Sequence, residues 1–366
     1  MAPLTQKTHD AYNVAILCAL DLERNAVRYM LDEEHQRLPT QPGDSNSYTL
    51  GELHGHNVVL ACLPSQQGKG AAATVATNMS RSFPSIKWRL FVGIGGGVPS
   101  DKHGIRLGDV VVSMPEGEHA GVVQYDLGRA TNSGFELKGF LWPLPALLRN
   151  AAQDMRSDHL GRDNKIEEYM DTMFTKWPRM TSYKQPLEPD ILFPANVPHP
   201  DGARACTSSC DPSQAVARPM RQFDGPEIHY GLIASGDAVI KNATARDEIA
   251  ERLGDVLCFE MEAAGLMTEY PSIVIRGISD YADSHKNKNW QNYAAGTAAA
   301  CAKELLSYID PEVAATELAP EVVVPEPIPT PKKEGPSGNV FNGQGLQNVG
   351  SGTVSIGRDF RIGGGR

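Results

Sequence analysis

The chain has 366 residues, 41% of them hydrophobic, and a formal net charge of −10. That is room for one large α/β domain with additions, or for two domains, around a real core. An acidic balance excludes a sequence-independent grip on nucleic acid or on an anionic membrane. No apolar run reaches the ~18 residues of a membrane span, and "MAPLTQKTHDAYN" has neither the charged nor the apolar region of a signal peptide, so the reading is a cytoplasmic protein.

Residues 1–11 read as a flexible N-terminus. "YNVAILCAL" (12–20) is an apolar run rich in strand formers, and "DLERNAVRYMLDEEH" follows with Ala26, Val27, Met30 and Leu31 at helical spacing. "NVVLACLP" (57–64) predicts a second strand and "GKGAAATVATNMSRSF" a helix of small residues. "RLFVGIGGGVPS" (89–100) is a strand that ends in a glycine-rich turn, and "GDVVVSMP" (108–115) is a strand again. Further on come a strand and turn in "HYGLIASGDAVI" (229–240), and a helix closed by Gly254 in "ATARDEIAERLG". "VLCFEMEAAGLMTEY" (256–270) passes from strand into helix, "SIVIRGISDYAD" (272–283) runs from strand into loop, and residues 290–309 form a last long helix. Strands alternating with helices predict a mixed or parallel sheet covered on both faces. Ligands of such sheets collect at the carboxyl ends of the strands, where "GIGGG", "SGD", "EMEA" and "ISD" all fall.

Three segments break the pattern. Residues 151–226 are polar, proline-dotted and weakly periodic, and read as a long insertion with one or two short helices near 164–175, either a lid or a surface excursion. Residues 311–336 are a proline-rich, acidic linker. Residues 337–366 are rich in Gly and Asn, and "VSIGRD" (354–359) is echoed by "FRIGGG" (360–365). Such two-sided strands bury nothing alone and would need stacking across chains in a cross-β or solenoid assembly; a disordered low-complexity tail is the other reading. Of the six cysteines, Cys18, Cys62, Cys258 and Cys301 lie in apolar runs, as buried thiols do, and Cys206 and Cys210 form a lone C-x3-C in a loop-like region. A structural zinc site takes four ligands, so this pair reads as reduced thiols and no metal or other cofactor is expected.

Four acids remain to be explained. Glu260, Glu262, Asp280 and Asp283 stand in otherwise apolar stretches, where a carboxylate is costly unless it is paired, hydrogen-bonded or used. Asp280 comes just past a hydrophobic strand, the partly desolvated setting of a general acid; a turn aspartate would also stand there. Glu262 begins a helix, where the macrodipole favours any glutamate, but a carboxylate also suits a cis-diol such as ribose. Glu23 lies at the first helix start, with Asp21 a candidate N-cap; its bland reading is a surface helix residue. In "GIGGG" (93–97), Gly95 and Gly96 let the backbone approach a flat ligand, or make a tight turn. The run fits neither a Walker loop nor G-x-G-x-x-G.

Taken in order, "A-L-x-x-E", the glycine turn, "SGD", "EMEA" and "ISD-x-AD" resemble the purine/uridine phosphorylase superfamily, in particular its nucleosidase branch typified by methylthioadenosine/S-adenosylhomocysteine nucleosidase. "GIGGGVPS", "QYDLG" and the insertion resemble the nucleoside-phosphorylase-like domains of fungal NOD-like receptors. The resemblance implies an α/β fold of three layers, a central mixed sheet flanked by helices, over residues 12–310, plus the low-complexity tail. It implies Asp280 as the acid that protonates N7 of a purine, Ser279 as its support, Glu262 on the ribose hydroxyls with Met261 under the sugar, and Glu23 as the residue that readies water. Val239 and Ile240 fall where the family's backbone meets the base; Val239 replaces an aromatic, and Phe259 is the candidate to supply a ring. Glu260 and Asp283 are left as structural. The family is dimeric or hexameric, so a homo-oligomer is implied. The tail loosely resembles fungal amyloid signalling motifs, which implies a NOD-like receptor with a matching motif as a partner.

Phosphorolysis would need an anion site. The first loop, "CALDLERN", is acidic where phosphate would sit, Arg89 comes too early on its strand, and Ile94 and Gly95 replace the family's hydroxyl. Like charges a few Å apart cost roughly 4 kcal/mol at an effective dielectric near 20. The sequence therefore favours hydrolysis of purine nucleosides, with a phosphorylase and a non-catalytic nucleoside sensor as alternatives.

Overall fold

The computed structural model describes residues 4–316 apart from 66, 133 and 201–205; the tail at 337–366 and most of the 311–336 linker lie outside the described residues. In chain order the strands are β1 Val14–Cys18, β2 Glu33–Glu34, β3 Tyr48–Leu53, β4 His56–Cys62, β5 Trp88–Gly97, β6 Val110–Ser113, β7 Val122–Gln124, β8 Gly128–Thr131, β9 Gly134–Leu137, β10 Ile228–Ser235, β11 Val256–Glu260 and β12 Ile273–Asp280. The helices are α1 Asp21–Tyr29, α2 Lys69–Ser82, α3 Ala146–Asp158, α4 Ile166–Lys176, α5 Cys206–Ser209, α6 Ala243–Leu253, α7 Ala263–Met267, α8 Gln291–Leu306 and α9 Pro311–Thr316.

The main sheet runs β2-β3-β4-β1-β5-β12-β6-β10-β11, with β7 beside β10. It is mixed: β4-β1-β5-β12 is parallel, β12–β6 is antiparallel, and β6-β10-β11 is parallel again. Strands buried on both faces are mostly apolar, and every residue of β1, β11 and β12 is buried, Glu260, Arg276, Ser279 and Asp280 included. The sheet curls until β11 meets the far end of β5 in a short antiparallel contact, Phe259 opposite Gly96 and Cys258 opposite Gly97. This closure brings "GIGGG" and "CFEMEA" face to face.

A helix that is apolar all round is a core helix. α8 is one: Tyr293 through Leu306 are buried without interruption. Its two charged members are paired, Lys303 donating to the Met30 carbonyl at 2.9 Å and Glu304 accepting from Lys165 N at 3.0 Å. α8 lies against β12 and β5, with α1, α3 and α4 packed on it, while α2 packs on α7. β12 and α8 approach so closely that a Cβ at Gly277 would overlap the Ala294 carbonyl.

The weak periodicity read at 151–226 is corrected at its start. α3 begins at Ala146 and buries Leu148, Ala151, Ala152 and Met155, a helical stripe that Arg149, Asp154 and Arg156 mask in the linear sequence. α4 lies where a short helix is expected. The end of the segment is pinned to the sheet: Arg221 makes a two-pronged contact with the buried Asp109, which also holds His229 Nε2 at 2.9 Å and accepts from Glu227 N at 3.0 Å. Among the described residues no helix is long and apolar enough to cross a membrane.

Gly277→Ala is expected to destabilise the chain by about 1–3 kcal/mol through overpacking. Gly70→Ala, with nothing within 4 Å of the added methyl, should be neutral or stabilising by up to ~1 kcal/mol. Urea unfolding of both variants checks the pair.

Candidate active site

Strand ends and the turns after them enclose one hollow of about 140 Å³. β1 and the start of α1 supply Ala19, Leu20 and Glu23, and β5 supplies Ile94, Gly95 and Gly96. The loop after β10 adds Val239 and Ile240, β11 and its turn add Phe259, Glu260, Met261 and Glu262, and the end of β12 and its loop add Ser279, Ala282 and Lys286. Nine of the ten residues expected at a site therefore share a wall; the tenth, Asp280, stands directly behind it. Asp280 borders a smaller cavity of about 40 Å³, and Ser279 belongs to both.

Glu23 is not a surface residue: it is 2% exposed. Asp21 is not the N-cap either, since Leu20 occupies that position and the Glu23 carboxylate turns back to it. Its Oε2 accepts from Ala19 N and Leu20 N, both at 2.8 Å, and its Oε1 accepts from Ile94 N at 2.8 Å. Burial pushes its pKa up, against the nearby Arg276 charge and these three N–H bonds.

Arg276 is the group that the sequence reading passed over. It is fully buried in β12, with Nη2 2.6 Å from Glu260 Oε2 and 3.9 Å from Glu262 Oε2. Its guanidinium carbon lies 4.1 Å from the centre of the Phe91 ring. Gly93 has to be glycine: a Cβ there would overlap Arg276 Nη1 and come within 2.5 Å of Glu23 Oε1. The signal was present, since an arginine inside the apolar run "IVIRGIS" needs a partner.

Glu260 combines its pairing to Arg276 with bonds from Glu262 N at 3.1 Å and Ala263 N at 3.0 Å. It shapes the turn into α7 and also lines the hollow. Glu262 takes the N-cap position of α7 but caps nothing with its side chain. Its Oε1 accepts a long bond, 3.4 Å, from Gly68 N. Burial first, then the neighbouring Glu260 charge, push its pKa up to about 7, against the pull of Arg276.

Asp280 departs from the expected apolar setting. Its Oδ2 receives the Ser279 hydroxyl at 2.8 Å and Lys286 Nζ at 2.8 Å, and its Oδ1 accepts from Ala282 N at 3.0 Å. It is thus a turn aspartate and a wall residue at once. Ala282 has a left-handed φ of 52°, a strained state for a non-glycine residue. Lys286 gave no sequence signal, because a loop places it six positions on. Phe259 meets Tyr125 edge-on at 5.5 Å and presents to the hollow, whereas Val239 is 48% exposed at the mouth.

The segment read as lid or excursion reaches this loop. Arg218 donates to Tyr281 Oη at 2.7 Å and pairs with Asp190 at 2.8 Å, and Tyr281 Oη donates to Asp190 Oδ1 at 2.6 Å. Tyr281 follows Asp280 directly, so the insertion braces the backbone of the acid.

Comparison with known proteins agrees with this architecture. A nucleotide-binding leucine-rich repeat (NLR)-like protein of Hyaloscypha variabilis is 43% identical over 305 residues, 83% of this chain. The chain spans 30% of that relative's own length. A 5′-methylthioadenosine/S-adenosylhomocysteine nucleosidase of Mycobacterium bovis is 24% identical over 303 residues, 81% of this chain and 96% of the nucleosidase. The crystal structure of the Neisseria meningitidis nucleosidase of the same name, in complex with methylthio-immucillin-A, matches with a TM-score of 0.52 at 20% identity, over 81% of this chain and 99% of that one. That likeness speaks for the fold alone. The family model described as the phosphorylase superfamily matches residues 13–309, and the chain belongs to that superfamily.

Proposed function

We propose that the protein is a purine nucleoside N-ribohydrolase, which cleaves the N-glycosidic bond with water to give a purine base and ribose. One observation carries the reading: Glu23 and Glu262 line a single hollow with the Ser279–Asp280–Lys286 group forming its wall. The name of the Mycobacterium bovis relative supports a nucleosidase.

The chemistry follows from the groups. Breaking the bond between C1′ and the base passes through an oxocarbenium-like state, with electrons moving onto the purine. Asp280, held by Ser279, passes to N7 a proton that Lys286 Nζ gives up to it, so the base leaves neutral and Lys286 is left uncharged until solvent reprotonates it. A water adds to C1′ and its proton passes to Glu23, whose raised pKa makes it a better base than an exposed glutamate. Glu262 accepts from the ribose hydroxyls, and that grip tightens as the sugar becomes cationic. Met261 packs under the sugar, Phe259 and Ile240 flank the base beside the Gly95–Gly96 backbone, and Val239 sits at the mouth.

Water is favoured over phosphate because Glu23, Glu260 and Glu262 line the hollow and its lining cation, Lys286, is engaged by Asp280. The NLR-like relative supports a second layer of the proposal. The catalytic unit would serve as a homo-oligomeric effector, dimer or hexamer, gathered through residues 337–366 by a receptor with a matching motif.

Product analysis on adenosine, inosine and guanosine should give free ribose at equal rates with and without phosphate; ribose-1-phosphate formed only with phosphate would replace hydrolase by phosphorylase. Asp280→Asn should lower kcat by about 10²–10⁴-fold with nucleoside still bound. Absence of turnover in the unaltered chain, with binding unaffected by the substitution, would leave a sensor instead. Glu262 must be ionised to accept from two hydroxyls, so kcat/KM is expected to rise with pH through about 7 and to fall below it. Glu262→Gln should lower the plateau and leave only the acid limb of Glu23, which must also be ionised to take the water's proton.

A further inference from the structure

Outside the hollow, the chain gathers a second group of donors. His199, Cys206 and Cys210 each present one ligand atom, and the three lie within 4.8 Å of one another. Linear spacing gives only part of this set, an H-x6-C-x3-C run from His199 to Cys210 that lacks a fourth ligand. The turn of α5 aligns the two thiols, with Cys210 N donating to the Cys206 carbonyl at 2.9 Å. His199 is fixed beside them, its backbone N–H on Ser284 Oγ at 2.8 Å and its Nδ1 3.0 Å from the Pro200 carbonyl.

A fourth residue, His285, borders the three. His285 has its carbonyl 3.8 Å from Cys206 Sγ, and its ring meets that of His199 edge-on at 5.4 Å. Its side chain is 8% exposed, it stacks on Phe193 at 4.2 Å, and Asp283 Oδ2 lies 3.7 Å from its Nδ1. Its buried Nε2 has no hydrogen-bond partner among the described residues. A ring nitrogen left bare while the other faces a carboxylate is the arrangement of metal-ligating histidines. His199 repeats the pattern, with a backbone carbonyl at Nδ1.

We infer that His199, Cys206, Cys210 and His285 form a binding site for a zinc ion. Two sulfurs and two imidazoles in a compact group suit tetrahedral zinc better than the hard cations that prefer oxygen. Tetrahedral bonds of about 2.3 Å to sulfur and 2.0 Å to nitrogen place donors roughly 3.3–3.8 Å apart. Binding would draw the three donors from within 4.8 Å of one another to these separations, and the His285 ring would turn toward them. Binding releases the two thiol protons and forms two metal–thiolate and two metal–imidazole bonds, with no change of oxidation state.

The ion would link the insertion to the loop between Asp280 and Lys286, on which His285 stands. It would also account for Asp283, a buried acid with no part in nucleoside cleavage, as the carboxylate that orients His285. Only an effect on turnover would depend on the nucleosidase reading; metal content and loop protection do not.

The test uses the full chain, purified under reducing conditions without chelator. Elemental analysis should find one zinc per chain. Cobalt substitution should give the visible bands of a tetrahedral site and a near-ultraviolet thiolate charge-transfer band. Cys206→Ser, Cys210→Ser and His199→Ala should each lose the metal, His285→Ala should bind it more weakly, and Cys62→Ser should keep it. Chelation should raise amide exchange across 206–210 and 283–286 while the strands stay protected. Substoichiometric zinc with no cobalt thiolate band, or metal retained by both Cys→Ser variants, overturns the site. A Cys206–Cys210 disulfide whose reduction yields thiols that take up neither metal overturns it as well. Full retention by His285→Ala removes the fourth ligand from the proposal.

Discussion

One buried cation organises the hollow. The Arg276 guanidinium is removed from water entirely, at a cost of several kcal/mol, and the surroundings offset that cost. Glu260 pairs with it directly, Glu262 lies at the edge of ion-pair range, the Glu23 charge is near, and the Phe91 ring offers its face. The dependence is mutual. Without the cation, three carboxylates would crowd one desolvated spot, which such groups avoid by taking up protons. With it, Glu260 stays engaged while the burial of Glu23 and Glu262 still pushes their pKa values up. The same cation accounts for Gly93, because any side chain there would occupy the space of Arg276 and Glu23.

This arrangement requires the curl of the sheet. Arg276 comes from β12, Glu23 from the helix after β1, and Glu260 and Glu262 from the end of β11, which ends the strand order with four strands between it and β1. Only the contact of β11 with the last glycines of β5 carries the "EME" turn back over the central strands. The parallel core of the sheet collects strand ends, as open α/β sheets do, and the closure adds a wall that an open sheet lacks.

The loop after β12 is held from the other side. It carries Asp280 and Lys286, turns through a strained Ala282, and is braced by Asp190 and Arg218 of the long segment between α4 and β10. A segment poor in regular structure can still fix a loop carboxylate when its few charged residues meet partners that are themselves buried. Here Tyr281 and Asp109 are those partners, and both lie at junctions with the sheet.

Much of this could be read in the linear chain. The central strands are continuous Val/Ile/Leu runs because both their faces are covered, so β1, β4, β5, β6, β11 and β12 are visible, as are the helices between them. The glycine turn and the acids at 23, 260, 262 and 280 were visible for a related reason: a polar or side-chain-free residue inside an apolar run is costly unless something local requires it. β2, β3 and the β8–β9 hairpin left no such mark, since edge strands and surface hairpins mix polar and apolar residues, and the charges along α3 concealed its buried stripe. What the sequence alone determined is thus the parallel core and the acids at its strand ends, because burial on both faces imposes a composition that local reading detects. The tertiary structure decided the partners. Arg276 facing Glu260, Lys286 on Asp280, and His199 beside Cys206 and Cys210 are contacts between distant or loop-borne residues, and their electrostatic complementarity exists only once the chain has folded.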